Sequence, residues 1–178
     1  MIVAGKCLSL QVFIPSERVC PWGLLASSTL LGPAFAGLVS TAVMTLFEFP
    51  FWKRWGMNGV AEWQTNWVIL SKLARVNSNR IREPRISWII ALHLWHGIAA
   101  GIIFGLLLPV LMLLPAGNFS VLLDAVVYSV ALWVIFMLAP RKAFEFAGGT
   151  PISNCSLLVA LASHFVYGIS LGLLVAIA

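Results

Sequence analysis

Of 178 residues, 61% are hydrophobic and 10% are charged, with a mean hydropathy of +0.98; a soluble domain carries about 25% charged residues. A soluble fold of this size could not hide so much apolar surface, so the composition points to one compact all-α unit, a polytopic helix bundle in a membrane. The net charge of +5 does not indicate nucleic acid, because nine of the eleven Lys and Arg residues fall in two short segments, 53–85 and 141–142, the distribution that sets membrane orientation.

Along the chain, the stretch from Ile2 to Ile14 is interrupted by Lys6, Ser9 and Gln11 and lacks a small-residue cleavage site, so it does not read as a signal peptide. Cys7 and Cys20 are expected on one side of the membrane, as a disulfide or as two free thiols, and Cys155 on the other. A bilayer core of about 30 Å needs about 20 apolar residues in a helix, and the chain offers that length four times. The first span is predicted over 33–52, opened by Pro33, with residues 22–31 as an outer prelude, and it ends at Trp52, Lys53 and Arg54.

A predicted helix over 59–75 follows, with Val60, Trp63, Trp67, Leu70 and Ala74 at three- and four-residue spacing and Glu62, Gln64, Asn66 and Lys72 on other faces. It reads as an amphipathic helix lying on the inner surface, capped by Asn58, with Trp52, Trp55, Trp63 and Trp67 as interfacial anchors, and docking against the bundle or a partner explains the tryptophans equally well. The second span is predicted over 88–108, before a turn formed by Pro109, Pro115, Gly117 and Asn118. The third is predicted over 120–139, ending at Pro140-Arg141-Lys142, and the fourth over 154–177, after Gly148-Gly149-Thr150-Pro151. Alternation of four helices puts both basic segments in the cytoplasm and both termini outside a cell membrane.

Ionisable groups at membrane depth are costly and are functional candidates by default. They are Glu48 in the first span, His93 and His96 in the second, and His164 with Tyr167 in the fourth; Asp124 fits a helix's first turn by dipole alone. At about 1.5 Å per residue, His96 and His164 lie level at roughly 12 Å from the inner edge, and Glu48 and His93 at roughly 6 to 8 Å, within reach of one another. Gly97, Gly101 and Gly105 continue the histidine face of the second span, as Gly168 and Gly172 do in the fourth, so these glycines are expected to pack helices closely and the histidines to lie on packing faces, not toward lipid.

Three readings fit this geometry. In the first, the histidines are neutral and bond across helix interfaces to backbone, Ser or Tyr groups. In the second, His96 and His164 are axial ligands of a haem. In the third, Glu48, His93, His96 and His164 form a path for protons or an ion. A copper or zinc site drawn from His93, His96 and His164 or Glu48 has reasonable donors at weak spacing. No nucleophile elbow, phosphate loop or HExxH motif occurs, so no catalytic residue is assigned.

Gly101-Ile-Ile-Phe-Gly105-Leu-Leu-Leu aligns without a gap to Gly168-Ile-Ser-Leu-Gly172-Leu-Leu-Val, and the first and third spans each end on Pro and a basic pair. Two tandem hairpins of one orientation are expected. The motif His164-Phe-Val-Tyr167-Gly168-Ile-Ser-Leu-Gly172 resembles one in small uncharacterised prokaryotic four-helix membrane proteins. Leu46-Phe-Glu-Phe-Pro-Phe-Trp-Lys-Arg-Trp-Gly56 with its Trp-rich sequel is similar to small archaeal membrane proteins, a group that includes accessory subunits of ammonia monooxygenase. Short outer loops, glycine-lined faces, a Trp-rich inner helix and the absence of a catalytic constellation point to a non-catalytic accessory or scaffold subunit, partnered by lipid and other membrane subunits, with a small transporter or channel and a haem- or metal-binding redox subunit as the alternatives that the intramembrane His and Glu residues allow.

Overall fold

The computed structural model describes residues 30–77, 85–111 and 121–177, with the side chains of 74–77 excepted. Cys7, Cys20, the prelude over 22–29, and the turn residues Pro115, Gly117 and Asn118 lie outside them. The chain runs as α1 (Leu31–Trp55), a 3₁₀ turn (Gly56–Gly59), α2 (Ala61–Asn77), α3 (Ile86–Leu111), α4 (Val121–Trp133) continued by a π-helical turn (Val134–Leu138), α5 (Arg141–Gly148) and α6 (Asn154–Ile177). Four of these are long and apolar enough to cross a membrane: Leu31–Gly59, Ile86–Leu111, Val121–Leu138 and Asn154–Ile177. The protein is an all-α, multi-pass membrane bundle. Phe35, Leu46, Trp95, Leu106, Val127 and Leu158 are exposed along these helices, as expected of a surface covered by lipid.

Glycines set the helix pairing. A Cβ on Gly101 would strike the Pro33 carbonyl and come within 2.8 Å of Gly37 Cα, and one on Gly105 would meet the Pro33 ring at 2.6 Å. In the second hairpin a Cβ on Gly168 would reach Val126 Cα at 2.8 Å, and one on Gly172 would reach Leu122 Cα at 2.7 Å. In both, residue numbers rise on one helix as they fall on the other, so α1 with α3 and α4 with α6 are antiparallel pairs joined at closely approaching backbones. The aligned glycine motifs thus occupy matching places in two similar hairpins. Between the hairpins, Ala36 and Met44 of α1 share a core with Phe104, Ala125, Tyr167 and Leu171.

Three features depart from the sequence reading. α3 continues through Pro109 to Leu111, because a proline in a last turn forfeits one backbone bond and little else. The third span carries a π-helical turn, an extra residue inserted into the helix just before Pro140.

The third concerns α2, which takes the second of its two expected placements: it docks into the bundle and does not lie on the inner surface. Gly56, at φ 63°, lets the chain leave α1, and Gly59 packs so tightly on α1 that a Cβ there would come within 2.6 Å of the Phe51 carbonyl. This tight reversal turns the first two turns of α2 back into the bundle. Val60, Ala61, Glu62, Trp63, Gln64, Thr65 and Asn66 are all buried, and among the described side chains of α2 only Lys72 and Leu73 are exposed. The apolar face foreseen for this helix is real, since Val60, Trp63, Trp67 and Leu70 pack with Phe51, Trp52, Ile86 and Ile89. The opposite, polar face is covered as well, by the other helices.

Candidate functional site

Burying both faces of α2 forces its polar residues to find partners inside the protein. Trp63 Nε1 donates a 2.7 Å hydrogen bond to Glu48 Oε2. Trp63 is therefore no interfacial anchor: its indole is buried and holds a carboxylate. Trp55 is exposed at the same end, and Trp52 stacks on Trp63 with ring centroids 5.6 Å apart.

Glu48, fully buried in α1, also faces His93 of α3, with His93 Nε2 3.6 Å from Glu48 Oε2. The contact expected between these two from depth alone is present. One residue before Trp63 on α2, Glu62 places Oε1 3.1 Å from His164 Nδ1. His164 Nδ1 is also 2.8 Å from the Ala160 carbonyl. Both neighbours are acceptors, so Nδ1 carries the proton and donates to them. Ser163 Oγ donates to the Ala160 carbonyl at 2.9 Å and stands 3.4 Å from Glu62 Oε1. Tyr167 donates to the Gly97 carbonyl at 3.3 Å, linking α6 to α3.

The result is a buried cluster of two carboxylates and two imidazoles contributed by α1, α2, α3 and α6. It is not fully satisfied: Glu48 Oε1, Glu62 Oε2, His93 Nε2 and Asn66 Nδ2 are buried without a hydrogen-bond partner. The cluster borders a cavity of about 360 Å³, on which Thr41, Glu62, Asn66, His93, His96, His164 and Tyr167 open. Apart from Thr65 its remaining wall is apolar, supplied by Met44, Ile103, Leu132, Phe136, Met137 and Phe144 among others.

His96 lines the same cavity but is exposed, turned aside from the packing face that His93, Gly97 and Gly101 share. The expectation that every histidine packs inward is corrected there: His96 lies one residue short of Gly97, and that step of about 100° rotates it off the stripe. His93, His96 and His164 thus share a cavity, yet no three His, Cys, Asp or Glu side chains among the described residues are close enough to hold a metal ion.

Glu62, Trp63 and Asn66 are the residues that sequence reasoning placed elsewhere. Their sequence signal is the Gly56-Met57-Asn58-Gly59 segment, whose two glycines permit the reversal that carries them inward.

At the basic end, where Lys53, Arg54, Arg141 and Lys142 gather, Glu145 forms a clasp. It accepts from Arg141 Nε at 2.9 Å, Lys142 Nζ at 3.1 Å and the Ile152 amide at 3.1 Å. The Lys142 and Arg141 hydrogen bonds, in that order, with the Ile152 amide, hold its carboxyl pKa down at about 2. The Arg141 guanidinium also reaches Asn154 and the Ile152 carbonyl, fastening α5 to the start of α6. Gln64 Nε2 donates to Thr150 Oγ1 at 2.9 Å, so this connection is tied in turn to α2.

Comparison with known proteins adds no identity: no family model, curated protein or solved structure matches the chain.

Proposed function

We propose that this protein is a small membrane transporter or channel unit that moves protons through the Glu48, His93, Glu62 and His164 cluster, with its basic end in the cytoplasm. One observation carries the reading. Two carboxylates are buried among membrane-spanning helices, each beside an imidazole, with an oxygen of each left unpartnered. Purely structural polar groups are expected to be satisfied, because an unpaired buried acceptor costs about 1 to 3 kcal/mol.

Carboxylate and imidazole are suited to passing a proton in either direction, since a His–Glu pair conserves its charge when the proton shifts from nitrogen to oxygen. The glycine faces that suggested a scaffold are used within the chain, against Pro33, Gly37, Val126 and Leu122, and so do not speak for a partner subunit.

The test is proton flux in liposomes holding the purified full chain and an internal pH-sensitive dye, under an imposed potential. Glu62→Gln and Glu48→Gln should each lower the flux at least tenfold while eluting as folded protein. Wild-type flux no greater than that of protein-free liposomes, or equal flux in folded variants, would remove the cluster from this role.

A further inference from the structure

The cavity beside the cluster is not closed. α3 and α4 touch chiefly where Tyr128 donates to the Ala100 carbonyl and stacks on Phe104. The cavity opens between these two helices, and the exposed residues His96, Ile103 and Phe136 stand on its lining. His96 lies ten residues into α3, about 15 Å along the helix, near the middle of a hydrocarbon core about 30 Å thick. The mouth therefore faces lipid, and what enters it comes from the lipid phase.

The inner end and the walls state what would fit. Glu62 Oε2 is an acceptor without a donor, Asn66 Nδ2 a donor without an acceptor, and both side chains are more than nine-tenths buried. A hydroxyl group answers both, giving its proton to the carboxylate and accepting from the amide. The walls are Met44, Met137, Phe136 and Phe144, thioethers and rings that pack well on a flat aromatic body. The π-helical turn Val134–Leu138 supplies both Phe136 and Met137 to this wall, and such turns recur at functional sites. A cavity of about 360 Å³ lies within the range of small-molecule sites, about 300–1,000 Å³.

We infer that the cavity binds an uncharged, lipid-soluble hydroxylated aromatic amphiphile, admitted sideways between α3 and α4, with its hydroxyl between Glu62 and Asn66. This rests on the proposed proton-handling role only in naming the molecule that the cluster would serve; the binding itself needs no proton gradient.

Binding of radiolabelled 4-octylphenol to the full chain in lipid nanodiscs, at equal pH on both sides, tests it. Saturable binding is expected, with 1-phenyloctane, the same body lacking the hydroxyl, at least tenfold weaker. Asn66→Leu should weaken octylphenol at least tenfold. Ala99→Trp, at a half-buried position on the cavity wall where folding is little at risk, should block it. Non-saturable uptake, equal affinity for the two probes, or undiminished binding in both variants would overturn the inference. So would cross-linking in nanodiscs that shows a second copy seated over His96 and Phe136. Proton flux that survives in Ala99→Trp with binding lost would support this site while separating it from transport; binding as expected with no wild-type flux would sink the transport reading alone.

Discussion

His164 Nδ1 of the last span stands 3.1 Å from Glu62 Oε1 of α2, so the helix that follows the first span is pinned to the final one by a buried charge-capable contact. The residues come from opposite halves of the chain. Their meeting closes the bundle around the cluster, and several expectations follow from what each contact holds in place.

Cutting that contact from either side should be costly, because a buried group loses its partner without regaining water. Glu62→Leu and His164→Leu are each expected to destabilise the folded state by about 3 kcal/mol. The double variant should fall short of the summed losses by on the order of 1 kcal/mol, the signature of direct coupling. Unfolding in mixed detergent micelles measures all three; strict additivity would mean that the two side chains do not interact.

Trp63 holds Glu48 through a single indole N–H. Trp63→Phe keeps an aromatic ring against Trp52 but removes the donor that approaches this fully buried carboxylate at 2.7 Å, leaving His93 Nε2 at 3.6 Å. A loss of about 2 kcal/mol is expected. Trp63→Phe combined with Glu48→Leu should recover part of that loss, since the orphaned acceptor is gone. A stability equal to wild type in Trp63→Phe would show that the indole bond contributes nothing.

Gly101→Ala should loosen the α1–α3 pair, because the new methyl meets backbone of Pro33 and Gly37 that no rotamer change can move. Overpacking of this kind costs about 1 to 3 kcal/mol. Gly32→Ala provides the contrast: nothing lies within 4 Å of its added methyl, and alanine favours helix over glycine by up to about 1 kcal/mol. Thermal unfolding midpoints should therefore move in opposite directions.

The Glu145 clasp gives an acid-limb prediction. Its folded pKa of about 2 lies below the ordinary 4.5, so its stabilisation is present above about pH 4.5 and is lost as pH falls toward 2. Glu145→Gln should flatten the part of the stability profile that belongs to this group. Its effect should also shrink in high salt, because Lys142 is exposed. A wild-type and variant profile that run parallel from pH 5 to pH 2 would show that the clasp does not titrate in that window.

Much of the frame was legible without coordinates. The four spans lie within a few residues of their expected places, and α6 coincides with its predicted range, because apolar length against bilayer thickness is a local property of the chain. The glycine stripes were legible for the same reason, through a 100° rotation per residue. The Glu48–His93 contact was also within reach, since the shared depth of two residues on neighbouring spans can be counted.

Hydrophobic patterning alone determined that this chain is a membrane bundle, where its helices cross and which ionisable groups lie within them. It could not determine where α2 goes. An amphipathic helix has the same pattern whether its polar face meets water or meets polar groups buried in a protein, and the choice falls to the Gly56–Gly59 reversal and to the glutamates and histidines that await it. Only the tertiary structure turned Glu62, Trp63 and Asn66 inward, joined Glu62 to His164 and left a cavity beside them, because each of those contacts links helices far apart in the chain.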